Sequence, residues 1–85
     1  MSSLLDRFVQ AQVDVNSLSS RPDNSTMLKL YALFKQATKG DVTGERPGGF
    51  DFVAGAKYDA WSEAKGISSD AAMQQYIDLV TSLKG

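Results

Sequence analysis

Neither cysteine nor histidine occurs in the 85-residue chain, which removes thiol nucleophiles, imidazole bases, disulfides and the usual zinc ligands at once. The remaining chemistry would fall to a pair of carboxylates, a lysine, or a serine with no histidine beside it. Each of these needs a shaped pocket that spacing alone does not supply. Asn24-Ser25-Thr26 matches a glycosylation acceptor, but without a secretion signal it reads as helix-capping sequence. The glycines at 44, 48 and 49 suggest a phosphate loop. No Gly-Lys-Ser/Thr follows them and no strand precedes them, so that pattern is incomplete.

Charge narrows the partners further. Nine basic and ten acidic residues leave a net charge of -1, so no global positive field exists to hold nucleic acid or an anionic membrane. An anion would have to be met locally. The first residues, Met1 to Val9, include Asp6 and Arg7, and nowhere do about 18 uninterrupted apolar residues occur as a spanning helix requires. A cytoplasmic protein without stable membrane insertion is expected. With 42% hydrophobic and 22% charged residues the chain is too apolar and too evenly charged for a disordered segment. One folded domain with one core is expected.

The elements that must position any functional side chain are helical. Leu4, Phe8, Ala11, Val15 and Leu18 recur at spacings of four and three, predicting a first helix near 3–17. Pro22 ends that stretch, and Asp23 can cap a second helix, whose stripe of Met27, Leu30, Tyr31, Phe34 and Ala37 runs from Thr26 to Lys39. Leu28 and Leu33 widen that stripe, Gly40 marks the stop, and Lys35 and Lys39 suit the negative end of the helix dipole. Residues 41–50 hold three glycines and a proline and form the one long loop. Asp51 then caps a third helix near 53–65, which ends before Gly66. Ser68 caps a fourth, with Met73, Tyr76, Ile77, Val80 and Leu83 at helical spacing. No segment alternates as a strand would. The fold class is all-α, a four-helix bundle, and the long loop between helices 2 and 3 means those two need not be antiparallel.

Pattern alone stops at a small helical bundle, but particular residues go further. Tyr31-Ala32-Leu33-Phe34-Lys35-Gln36-Ala37-Thr38-Lys39-Gly40-Asp41, then Glu45-Arg46-Pro47-Gly48, then Ala56-Lys57-Tyr58-Asp59-Ala60-Trp61 closely resemble the signature of the acyl-CoA-binding protein family. The likeness continues through Lys65-Gly66 to Ala71-Ala72-Met73-Gln74-Gln75-Tyr76-Ile77, and only the first helix matches loosely. The resemblance implies a four-helix bundle spanning residues 1–85 as one acyl-CoA-binding domain. It also implies a bowl between helices in which adenine stacks on aromatics, lysines hold the ribose 3′-phosphate and the acyl chain is buried.

What the resemblance implies for each side chain can be stated one position at a time. Tyr31 matches the tyrosine lining the nucleotide site, and Phe34 stands where a second tyrosine is usual, keeping the ring and losing a hydroxyl. Lys35 and Lys57 match the lysines that meet the 3′-phosphate from the second and third helices. Tyr76 matches a fourth-helix tyrosine that contacts the ligand. Met27, Leu28 and Gln12 are expected to line the acyl chain. The function implied is a monomeric, non-catalytic carrier of long-chain fatty acyl-CoA, free-standing in the cytoplasm and handing its cargo to acyl-CoA-using enzymes. It needs no cofactor, since the acyl-CoA is cargo.

By pattern alone, Tyr31, Phe34 and Tyr76 sit on apolar stripes as core residues do, and Lys35 and Lys57 would be ordinary solvated charges. Trp61, Leu30, Leu33, Ile77 and Val80 read as core, and Glu45 with Arg46 as ties for the loop. Asn16 and Val53 occupy positions that are often basic in the family, and Tyr58 replaces its usual tryptophan. A less positive bowl follows, with weaker binding that falls more gently with salt. Two rival functions use the same residues: a helical protein-interaction module that has lost ligand binding, and an enzyme of acyl-CoA metabolism. The second lacks an evident catalytic group.

Overall fold

Each predicted cap forms the hydrogen bond its residue type allows. The computed structural model describes residues 3–85, in four helices: α1 Leu4–Asn16, α2 Asn24–Lys39, α3 Phe52–Glu63 and α4 Ser69–Leu83. Ser3 accepts from the amide of Asp6, whose carboxylate reaches back to the Ser3 amide. Asp23 accepts from the amide of Thr26 at 2.8 Å, Asp51 from Ala54 at 3.0 Å and Ser68 from Ala71 at 3.1 Å. Each bond satisfies an amide that the first helical turn leaves without a partner. Met1 and Ser2, which the expected domain of residues 1–85 includes, lie outside the described residues. Against expectation, α2 begins two residues early and α3 stops at Glu63 rather than 65, because residues 64–66 tighten into a turn.

One core joins three of the helices. Phe8 and Ala11 of α1, Leu30, Leu33 and Ala37 of α2, and Ala72, Tyr76, Ile77 and Val80 of α4 pack together with little or no exposure. Leu30, Leu33, Ile77, Val80 and Trp61 are all buried, as expected for core residues. Helix α4 packs against both α1 and α2, and α3 packs on the far side of α2. Among the described residues α1 and α3 do not pack together, and α1 meets α2 through side chains, Phe8 on Phe34.

The direction of α3 follows from a knot of hydrogen bonds. Gly40, at a φ of +85° that favours glycine, ends α2 and turns its carbonyl to accept from the indole of Trp61 at 2.8 Å. Asp41 accepts from Gln36 at 2.8 Å and from the amide of Gly66 at 2.9 Å, and Gln36 also donates to the carbonyl of Ile67. The C-terminal ends of α2 and α3 therefore meet, and the two helices run parallel. The intervening segment must climb back along the length of α3, roughly 18 Å for twelve residues. Arg46 holds it there through paired bonds to Asp59 at 2.8 and 2.9 Å, and the Tyr58 hydroxyl donates to the carbonyl of Gly44. A Cβ at Gly55 would come within 2.9 Å of the Arg46 guanidinium, whose flexible end would have to shift to admit it. Arg46 thus ties the loop as expected, whereas Glu45 joins no ion pair among the described residues.

Candidate functional site

The parallel pairing of α2 with α3 brings two lysines and two rings onto one seam. Tyr31 and Lys35 stand one turn apart on α2, and Lys57 and Trp61 one turn apart on α3. The Lys57 ammonium lies 5.4 Å from the centre of the Tyr31 ring, and the Lys35 ammonium lies 4.8 Å from that of Trp61. Each cation rests on a ring supplied by the other helix, a favourable electrostatic contact. On the two helices these four residues sit at the corners of a rough square, one turn, about 6 Å, apart along each helix. No carboxylate lies within ion-pair distance of either lysine among the described residues. Their charge is held in place and remains available to an anion.

Beside this square opens a cleft of about 570 Å³. Met27, Leu28, Tyr31, Ala56 and Lys57 line it, with Phe52 and Val53 at the start of α3 and Arg21 and Asn24 at the start of α2. Most of its wall is hydrocarbon, and Arg21 and Lys57 are the cations in its lining, an arrangement that suits a ligand with an anionic head and an apolar body. A second groove, of about 620 Å³, lies on the other side of the α2–α3 seam, lined by Ala32, Ala60 and Ala64 with Lys29, Asp59 and Glu63. It shares only Leu28 and Ala56 with the first and contains neither lysine of the square.

The eight residues singled out from the sequence fall into two groups. Met27, Leu28, Tyr31 and Lys57 line the cleft; Lys35 does not, and stands one turn beyond Tyr31 on α2 with its ammonium over Trp61. Phe34, Tyr76 and Gln12 gather instead around Phe8. The Phe34 ring stacks on Phe8 at 6.1 Å, Tyr76 meets it edge-on at 5.1 Å, and the Gln12 amide donates to the Phe8 carbonyl. Tyr76 is 5% exposed, and burial pushes its hydroxyl above the ordinary phenol range, so it stays neutral and available as a donor. None of these three lines the cleft.

Arg21, Asn24 and Phe52 line the cleft and were not singled out. Phe52 is the first residue of α3 and lies on no apolar stripe, so periodicity offers no signal for it; the sole hint is an aromatic residue directly after a capping aspartate. Arg21 and Asn24 read from the sequence as parts of a helix break. Among the described residues no cluster of metal-ligating side chains exists, and no helix is long and apolar enough to cross a membrane.

Comparison with known proteins agrees with this geometry. The family model described as Acyl CoA binding protein matches residues 5–80. Acyl-CoA-binding protein homolog 1 of Caenorhabditis elegans is 47% identical over 76 residues, covering 89% of this chain and 88% of that protein. Enoyl-CoA delta isomerase 2 of Rattus norvegicus is also 47% identical over 76 residues, but the chain spans only 19% of its length. The crystal structure of Oryza sativa Acyl-CoA-Binding Protein 2 superposes with a TM-score of 0.90 at 38% identity, over 95% of this chain and 90% of that one. With four helices in the same arrangement and a matching sequence along nearly its whole length, the chain belongs to the acyl-CoA-binding protein family.

Proposed function

We propose that this chain is a non-catalytic carrier that binds one long-chain acyl-CoA ester at a time, acting as a cytoplasmic monomer and needing no cofactor. The observation that carries the reading is Tyr31 and Lys57 lining an apolar cleft, with Lys35 and Trp61 in contact one turn further along the same seam. The two ammonium groups close on the 3′-phosphate of the ligand, and Tyr31 stacks on its adenine. Met27 and Leu28 cover the acyl chain, each buried methylene contributing about 0.8 kcal/mol until the cleft is filled. Phe34, Tyr76 and Gln12, grouped about Phe8, take the part of the chain that passes toward α1.

Chemistry on the cargo lacks an agent. The sequence has no imidazole or thiol, and the isomerase relative extends far beyond the part this chain resembles. Sequestration remains: the ester is withdrawn from water and membranes and passed to acyl-CoA-using enzymes. The likeness to carriers over 88% of a relative's length favours this over an interaction module. Titration calorimetry with palmitoyl-CoA tests it. Saturable 1:1 heat is expected, weaker for coenzyme A without its chain and weaker again for free palmitate. A flat titration with palmitoyl-CoA leaves the interaction module as the better account, and loss of the ester on prolonged incubation would indicate an enzyme.

A further inference from the structure

We infer that the second groove, on the other side of the α2–α3 seam, docks an amphipathic helix of another protein, basic along one flank of its apolar stripe and acidic along the other. Ser25, Leu28, Lys29, Ala32 and Leu33 of α2 line one wall of this groove. Ala56, Asp59, Ala60, Glu63 and Ala64 of α3 line the opposite wall. Both sets recur at i, i+3, i+4, i+7 and i+8, the spacing of a single helical face. Because α2 and α3 run parallel, the two faces flank one trough, eight residues or roughly 12 Å long.

Helix α3 carries more apolar surface than its place in the fold uses. Among the described residues it packs on no helix but α2, and one neighbour calls for one apolar stripe. Trp61 is buried against that neighbour's end, its indole donating to the Gly40 carbonyl. Ala56 and Ala60 stay half-buried in the groove wall. With only methyl groups at 32, 60 and 64 between the two helices and an incoming one, a third backbone can approach at the short end of the usual 8–10 Å spacing.

Charge decides which occupant fits. Lys29 stands on the α2 wall and Glu63 on the α3 wall, and among the described residues neither is ion-paired, with each other or with anything else. Asp59 is held by Arg46, so its charge is met within the chain. The groove thus presents one unmatched cation and one unmatched anion on facing walls. A flat lipid surface cannot follow a concave trough bearing both signs, and a small apolar molecule would leave both charges unanswered. A helix with a basic residue beside Glu63 and an acid beside Lys29 answers both, and the pairing fixes the direction in which it lies. Two turns of contact make a small interface, so the docking is transient. Lys29, Ala60 and Glu63 do not line the cargo cleft, and the inference goes beyond the carrier reading without depending on it.

Three synthetic amphipathic helices with the same Leu-Ala stripe test the proposal: one basic on one flank and acidic on the other, one basic on both flanks, one acidic on both. Each is titrated into isotopically labelled protein and followed by amide NMR. The mixed peptide should shift the amides of Ala32, Ala60 and Glu63 and bind roughly three- to tenfold tighter than the other two. Lys29→Glu should pass that preference to the doubly basic peptide. Ala60→Arg should abolish binding of all three and leave palmitoyl-CoA affinity unchanged, its spectrum outside the groove showing that the variant folds. No shifts in the groove, or a preference indifferent to Lys29→Glu, overturns the proposal. So do shifts gathered at Tyr31 and Lys57, which would put the peptide in the cargo cleft, and groove shifts that grow with the concentration of the protein alone, which would make a second copy the occupant. Failure to bind palmitoyl-CoA would end the carrier reading and leave the docking result standing.

Discussion

On α2, Tyr31 turns toward α3 and Phe34, three residues on, turns toward α1, and the two rings meet different surroundings. Phe34, also half-buried, packs against the core that joins α1, α2 and α4, stacking on Phe8, which in turn meets Tyr76. Tyr31 lies half-buried beneath a lysine at the edge of an open cleft. One helix therefore presents one ring to the core and the other to the cleft. The division follows from packing: α4 covers one side of α2 and α3 another, and Phe8 of α1 reaches Phe34 while Tyr31 borders the cleft. Residue type alone would not have separated the two rings.

The widest separation between these regions should appear in Phe8→Ala. Phe8 is 2% exposed and holds both Phe34 and Tyr76, so its truncation should cost about 3–5 kcal/mol of stability in urea unfolding. Tyr31→Ala should do the reverse. Losing a stacking surface should weaken palmitoyl-CoA binding by roughly 5- to 150-fold, with a much smaller drop in the urea midpoint. If Tyr31→Ala unfolds the protein as readily as Phe8→Ala does, the proposed division of α2 is wrong.

How the loop supports α3 gives a finer test. Tyr58→Phe removes the hydrogen bond to the Gly44 carbonyl and should cost about 0.5–1.5 kcal/mol in the same unfolding assay. An unchanged midpoint would mean that Arg46 and Asp59 hold the loop by themselves.

Acid should loosen the scaffold that sets the two regions apart. The Gly66 amide and then Gln36 hold the Asp41 carboxyl below its ordinary range, the Thr26 amide does the same for Asp23, and Arg46 for Asp59. Gln10, followed by Lys84, lowers Asp14. A group depressed in the folded state adds stability that is fully present above its unfolded value and is lost as pH falls through its folded one. Unfolding midpoints should therefore be flat near neutrality and decline only below about pH 4. Asp23, Asp41 and Asp59 are exposed and Asp14 is half-buried, so the decline should be gradual. In Asp41→Asn part of it should disappear, at the price of a lower midpoint at pH 7. A profile for Asp41→Asn that parallels the intact protein would deny Asp41 its role in joining α2 to the α3–α4 connection.

Much of the scaffold was legible because capping is local. Asp23, Asp51 and Ser68 announce their helices by residue type, and the structure uses all three. The end of α3 was placed two residues late because Gly66 marks where the turn finishes, not where the helix does. The parallel run of α2 and α3 was permitted by the loop's length but not deducible from it. It depends on Trp61 reaching Gly40 and Asp41 reaching Gly66, contacts across more than twenty positions that no periodicity encodes. The lysines became visible as a pair through family resemblance, and only the structure adds that each lies over a ring of the other helix. Phe52 stayed hidden because its importance comes from standing at the first position of α3 beside the cleft.

The account depends most on Lys35 and Lys57 acting on one phosphate, and palmitoyl-CoA can be compared with its analogue lacking the 3′-phosphate to test this. Calorimetric titrations of Lys35→Ala and Lys57→Ala should each show roughly 10- to 150-fold weaker binding of palmitoyl-CoA, and almost no change with the analogue. Equal losses for both ligands would place the ammonium groups elsewhere on the cargo, and no loss with palmitoyl-CoA in either variant would contradict the account outright.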